Sequence, residues 1–448
     1  MAEQRPNVIL IFCDDLGYGD LGCFGSEVNA TPRLDQMAEE GMRFTDFYVA
    51  APVCSPSRAA LMTGCYPKRV DLAFGTSRGV LFPGDAKGLS PDEVTIASLL
   101  KTEGYATKII GKWHLGDQPE FLPTSHGFDS YFGIPYSNDM LPHNANNIKN
   151  GFNMPHLPLL RDEEVVGIDP NQASLTDYYV EDAVQFIRDN KDGPFFLYFA
   201  HMYVHLPLYA PYRFLQQAQN GPYGAAVEHI DEATGILLDT LAELGIDDNT
   251  LVIFTSDNGS NGRSGGSNAP LRGTKGSTWE GGMREPGIMR WPGKITAGTT
   301  CGELCTAMDM LPTLGKLAGA KMPDDRTIDG KDIRPLMFGE GGASSPYDAF
   351  FYYGQNNLRA VRSGKWKLHL DDEVLIDLDT DIGETTDVSG DHPEVVAELK
   401  AHVERCRQDL GDESTGAPGT GCRTAGWVDD PKYLTPHEYN PYVEAAYD

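Results

Sequence analysis

Residues 7–12 read NVILIF, a continuous apolar run rich in β-branched side chains that stops at Cys13-Asp14-Asp15-Leu16-Gly17. A short run of this kind, closed by polar residues and glycine, predicts a fully buried strand feeding a loop. The pattern returns along the chain. Residues 106–110 run into Gly111-Lys112-Trp113-His114, residues 195–200 (FFLYFA) into His201-Met202-Tyr203-Val204-His205, and residues 251–255 (LVIFT) into Ser256-Asp257-Asn258-Gly259. Helical spacing fills the gaps. Residues 95–103 form one such stretch and stop at Gly104. Residues 178–190 set Val180, Val184 and Ile187 on one face, and residues 225–244 make a long helical pattern.

Buried strands alternating with helices predict an α/β chain, with a large, mostly parallel mixed sheet flanked by helices on both faces. Ligands in such sheets sit beyond the carboxyl ends of the strands. Here those ends carry Asp14 and Asp15, Lys112 and His114, His201 and His205, and Asp257 and Asn258. A single sheet edge would gather all of them. The pattern changes near residue 340. Residues 347–355, 358–369 and 374–378 read as short strands joined by Gly and Asn turns, and 393–410 as an amphipathic helix. This predicts a larger first unit over 1–340. A smaller α+β unit with an antiparallel sheet follows over 341–448, ending from Gly411 in a Gly/Pro-rich tail laid over the surface.

Composition narrows the function. The chain has 448 residues and a formal charge of −29. Such a surface repels nucleic acid and anionic membranes, so neither is expected as a partner. An anionic substrate would need a local cationic pocket. No stretch has the ~20 apolar residues of a membrane span. The opening MAEQRPNVIL lacks a basic start followed by an apolar run, so no signal peptide is expected. A trimmed periplasmic or extracellular protein and a cytoplasmic one both fit. The 8 cysteines are sparse for this length, and no CxxC pair occurs. Cys301 and Cys305 have the spacing of one helical turn, without the partners of a zinc site.

Three groups carry candidate chemistry. Asp14, Asp15 and Asp257 would repel one another at one sheet edge, and with Asn258 they suit a hard divalent cation. Each pair alone reads as an ordinary turn or cap. The second group is Cys54-Ser55-Pro56-Ser57-Arg58, at the start of an expected helix that Ser57 could cap. Cys54 there is either a low-pKa thiol or a structural cysteine. The third is cationic: Arg58, Lys112, His114, His205 and the glycine-flanked Lys275. Singly these are surface charges or structural histidines. Together with a cation they make a pocket for a tetrahedral oxyanion.

CDDLGYGDLGCFG from Cys13, CSPSRAALMTG from Cys54, GKWHLG from Gly111, GIPYSND from Gly133, SDNG from Ser256 and LRGTKGSTWEGGMREP from Leu271 resemble the type I sulfatases of the alkaline phosphatase superfamily. The likeness is to the arylsulfatase A and N-acetylgalactosamine-6-sulfatase branch, and C-x-P-S-R is its most specific element. The resemblance implies a sulfate monoester hydrolase acting on a sulfated carbohydrate or aryl sulfate. It implies that a separate maturation enzyme, reading Pro56 and Arg58, converts Cys54 to formylglycine. By the same likeness, Asp14, Asp15, Asp257 and Asn258 hold Ca²⁺ (Mg²⁺ being the alternative), with the Cys54-derived group as a further ligand. Arg58 steadies the hydrated aldehyde, Lys112 and Lys275 neutralise sulfate, and Ser137 is a further sulfate contact. His205, with Lys275, serves the leaving oxygen, and His114 is the base that helps expel sulfate. Cys65 departs from the family, in which many members carry arginine there. The loops 70–88 and 138–167 are expected to shape substrate choice. Competing readings are a phosphomonoesterase or phosphonate monoester hydrolase on the same fold, a noncatalytic protein that binds sulfated glycans, and a chain left unmatured as a thiol.

Overall fold

The computed structural model describes residues 5–436. The opening run becomes the strand Asn7–Cys13, every residue of it buried. It lies between Phe195–Ala200 and Thr250–Ser256, parallel to both, with Ala106–Lys112 and Ser130–Ile134 continuing the parallel order on one side. These five strands are the middle of an eleven-stranded sheet. Arg284–Arg290 joins antiparallel beyond Thr250–Ser256, and the hairpin Pro158–Arg161/Glu164–Ile168 closes the other edge antiparallel. The sheet is therefore mixed with a parallel centre. Strand alternation splits its side chains between two cores: Leu10 and Phe12 pack with the Cys54 helix, while Ile9 and Ile11 pack with helices Leu175–Asn190 and Gly221–Leu244. Among the described residues no helix is long and apolar enough to cross a membrane.

A separate four-stranded antiparallel sheet follows. The stretch 358–369, read above as one strand, is two, Asn357–Ser363 and Trp366–His369, because the chain turns at Gly364 with φ +55°. Helix Pro393–Asp409 covers this sheet. Cys301 and Cys305 are not on a helix: both sit in short strands paired with Met42–Tyr48. The tail runs back over the large sheet, where Gly426–Trp427 pairs with Lys87–Gly88 and Arg423 binds Glu93 and reaches Cys65. Its last residues, 437–448, lie outside the described residues.

A buried charge network joins the second sheet to the first. Asp46 takes Arg284 and Arg362, while Glu280 takes Lys367 at 2.9 Å and the hydroxyl of Tyr48. Glu384 bonds Lys367 and accepts from the backbone N–H of Glu280 at 2.7 Å. Charges this deep persist only when paired and hydrogen-bonded. The network fixes the segment that follows Lys275.

Candidate active site

Every residue in the three groups comes from the carboxyl end of a sheet strand or from a segment packed against that end. Asp14 and Asp15 leave Asn7–Cys13. Direct parallel pairing with Thr250–Ser256 brings Asp257 beside them, its N–H donating to the Cys13 carbonyl at 2.9 Å. Asp15 turns back with φ +63°, donating its N–H to Asp257 Oδ1 and accepting from Asn258 Nδ2 at 2.7 Å. Lys112 ends Ala106–Lys112. Gly111 before it has φ +109°, and a Cβ there would sit 2.0 Å from the Ala200 carbonyl oxygen, so the crossing requires glycine.

Cys54 is the first residue of helix Cys54–Thr63, buried, with Val53 as the residue before the helix. Ser57 does not cap it: its hydroxyl lies inside the helix and has no hydrogen-bond partner. Ser55 instead accepts from the Leu81 N–H at 3.1 Å, tying the 70–88 loop to the helix start. Arg58 reaches inward and donates to Asp257 Oδ2 through Nε (3.0 Å) and Nη2 (2.7 Å), and to the Lys112 carbonyl at 3.0 Å. Lys275 arrives on a loop pinned by Gly276 N–H to the Pro52 carbonyl, and its ammonium lies 2.6 Å from Asp15 Oδ1 and 3.5 Å from Cys54 Sγ. Lys112 pairs with Asp14 and donates to Ser137 at 3.3 Å. Ser137 in turn lies 3.4 Å from the His205 ring.

The two histidines are held in defined tautomers. His114 Nε2 faces the Leu81 carbonyl at 3.0 Å and must donate to it, so Nδ1 keeps its lone pair, buried and without a partner. Burial, with Lys112 nearby, pushes this imidazole well below its ordinary pKa, so it stays neutral. His205 Nδ1 donates to the Leu206 carbonyl at 2.6 Å, leaving Nε2 turned toward Asp15, 4.0 Å away. His201 stands apart. It bonds Thr176 at 3.1 Å and the Tyr203 N–H at 3.2 Å, a structural role.

Electrostatics decide what Cys54 can be. Burial pushes its thiol up to about 11 despite Lys112 and Lys275, so it is not a low-pKa thiolate. Burial also works to raise Asp14, but Lys112, His205, Arg58 and Lys275 hold it below the carboxylate range. Asp257 goes the other way, raised by burial and by the Asp14 charge.

The donors fit a hard cation. Asp14 Oδ1 and Asn258 Oδ1 are buried oxygens without any hydrogen-bond partner among the described residues, which is costly unless something else binds them. Ligand atoms of Asp14, Asp15, Cys54 and His205 lie within 4.8 Å of one another. The predominantly oxygen donor set suits Ca²⁺ or Mg²⁺ over zinc. Asp257 is not in that closest group; its Oδ2 accepts from Arg58.

The sequence reading missed Glu280 and its partners, although the motif around Lys275 contains that glutamate. Its buried pairing depends on Lys367 and Glu384, far along the chain.

Residues 6–320 match the family model described as Sulfatase, and residues 274–409 match N-sulphoglucosamine sulphohydrolase, C-terminal. The chain is 44% identical to N-acetylgalactosamine-6-sulfatase of Rattus norvegicus over 82% of its length and 72% of the relative's. It is 42% identical to arylsulfatase A of Homo sapiens, over 82% and 75%. The crystal structure of Ps i-CgsB in complex with k-i-k-neocarrahexaose superposes with a TM-score of 0.80 at 32% identity, covering 90% of this chain and 92% of that one.

Proposed function

We infer, for a chain that belongs to the sulfatase family and is a sulfuric ester hydrolase, that it releases sulfate from a carbohydrate after Cys54 has matured to formylglycine and a calcium ion has bound. The observation that carries this reading is the pair of orphaned oxygens, Asp14 Oδ1 and Asn258 Oδ1, beside a buried Cys54 with a raised pKa. A neutral thiol there is a weak nucleophile. In the reading, Asp14, Asp15, Asp257 and Asn258 hold the cation, with the residue at 54 as a further ligand. When present, the hydrated aldehyde supplies an oxygen nucleophile and the cation polarises it and the sulfate.

The rest falls to this chain's own side chains. Lys112, Lys275 and Ser137 line the place for sulfate and offset its charge as the ester breaks. Arg58, fixed by Asp257 and the Lys112 carbonyl, places its positive charge beside the group at position 54. His205, oriented by the Leu206 carbonyl and carrying a second proton on Nε2, gives that proton to the leaving oxygen and returns to the neutral ring, with Lys275 nearby. His114 Nδ1, its lone pair free, takes the proton whose loss lets sulfate depart. The carbohydrate assignment rests on the relative that acts on N-acetylgalactosamine 6-sulfate and on the neighbour with a bound neocarrahexaose. An aryl sulfate is the narrower alternative, after arylsulfatase A. The maturation enzyme is the partner this reading requires; within this chain the reading assigns residues 1–340 to the catalytic unit and 341–448 to the smaller domain.

Mass analysis of the tryptic peptide containing Cys54, taken from active protein, is expected to show an aldehyde. Cys54→Ala should fold with an unchanged melting temperature and lose turnover by at least ~10⁴-fold, as removal of a nucleophile does. Full activity from a preparation that is entirely thiol would overturn the reading.

A further inference from the structure

Beside the cluster lies an open cavity of about 430 Å³, a size that takes small ligands. One wall is Pro52 and Val53, which lead into Cys54, together with Gly276, which follows Lys275. The opposite wall belongs to the second sheet: the tip of the hairpin Phe350–Gly354/Asn357–Ser363, with Gln355, Asn357 and Arg359. Gly79 of the 70–88 loop closes a third side, where an added Cβ would lie 3.4 Å from Gln355 Nε2. The cavity thus begins next to the residues flanking Cys54 and Lys275 and ends on a hairpin from the far end of the chain.

Several of its polar groups lack protein partners. Among the described residues, the side-chain amides of Gln355 and Asn357 and the hydroxyl of Thr278 make no hydrogen bond. Arg359 spends only Nη1 on Asp371, at 2.9 and 3.0 Å, which leaves Nε and Nη2 as donors. Gln355 has φ +59°, a backbone region that favours glycine and asparagine. The charges cancel, since Arg359 faces Asp371. A second sulfate would meet no unpaired cation here, whereas a neutral polyhydroxylated ring would meet both donors and acceptors.

We propose that this cavity binds the uncharged sugar ring adjoining the sulfated unit, with Gln355, Asn357 and Arg359 selecting for it. The proposal rests on the carbohydrate reading above. The test uses the matured full-length protein and a panel of singly sulfated mono- and disaccharides, with nitrophenyl sulfate alongside. The wild type should prefer a disaccharide to its monosaccharide. In Asn357→Ala/Arg359→Ala, kcat/KM for that disaccharide should fall ~10- to 100-fold, mainly through KM, against less than ~3-fold for the monosaccharide and the aryl ester. Asn357→Ala alone, which removes no charge, should show the same ordering with a smaller loss. In a Cys54→Ala background, where nothing turns over, Kd for the disaccharide should rise by a similar factor. Equal losses on mono- and disaccharide, or a wild type to which the second ring adds nothing, would overturn the subsite and leave the carbohydrate reading standing. Turnover of the aryl ester with none of the saccharides would overturn both.

Discussion

Asp14 shows how one side chain sets the state of the whole site. Its Oδ2 is paired with Lys112 and faces Arg58, yet Oδ1 is buried with nothing to accept from. The cations around Asp14 keep it ionised, so the unsatisfied atom is a charged one, the costliest kind to leave unpaired. A divalent cation would answer that atom, the Asn258 oxygen and the raised Asp257 carboxyl together. Asp14→Ala is therefore expected to lower bound calcium from one per chain toward none and to cut turnover by ~10²-fold or more. Elemental analysis beside the rate measurement checks it. Normal activity in protein free of both calcium and magnesium would remove the metal from the scheme.

Among the elements, the strand Ala106–Lys112 and its following loop combine support with function. Lys112 and His114 belong to the site, while Trp113 between them packs against His126 with the rings tilted and their centroids 5.6 Å apart. Among the described residues neither His126 ring nitrogen has a hydrogen-bond partner, and burial pushes its pKa from 6.5 down to about 4. Above pH ~6.5 this imidazole is neutral in folded and unfolded chains, and adds no pH dependence. As pH falls from about 6.5 toward about 4, the unfolded chain binds a proton that the folded one refuses. Stability contributed by this site therefore declines over that window. His126→Phe should remove the decline, gaining about 1–2 kcal/mol at pH ~5 relative to its effect at pH ~7.5. Urea titrations of both proteins at the two pH values test this, and an identical difference at both would refute it.

For the whole molecule, a net charge of −29 surrounds a pocket of concentrated cations. Arg58, Lys112 and Lys275 are each engaged by an aspartate, so the pocket has little positive charge to spare. A sulfate monoester carries one negative charge, and a phosphate monoester nearly two at neutral pH. The wider field opposes the second charge. Matched sulfate and phosphate esters should differ in kcat/KM by at least ~10-fold in favour of sulfate. A preference for the phosphate ester would support the phosphomonoesterase alternative instead.

The hydrophobic pattern alone determined the central strands. A buried parallel strand is apolar along its full length, and the polar residues that end each run are therefore conspicuous. Asp14, Lys112, His205 and Asp257 were legible for that reason, and the CSPSR motif supplied Cys54 and Arg58. The pattern did not separate Asn357–Ser363 from Trp366–His369, since a turn at one glycine leaves little trace in an alternating stretch. It also gave Ser57 a capping role, although the helix begins at Cys54 itself and places that hydroxyl inside. Only the tertiary structure decided which nitrogen of each histidine is committed to a carbonyl, and which oxygens of the aspartates are left over. It alone brought the Gln355 hairpin to the flank of Cys54 through Asp46, Glu280 and Glu384. The aspartate and hairpin outcomes depend on contacts between residues hundreds of positions apart, and the histidine ones on how the loops at Leu81 and Leu206 fold, whereas hydrophobic periodicity records only what each short segment must bury.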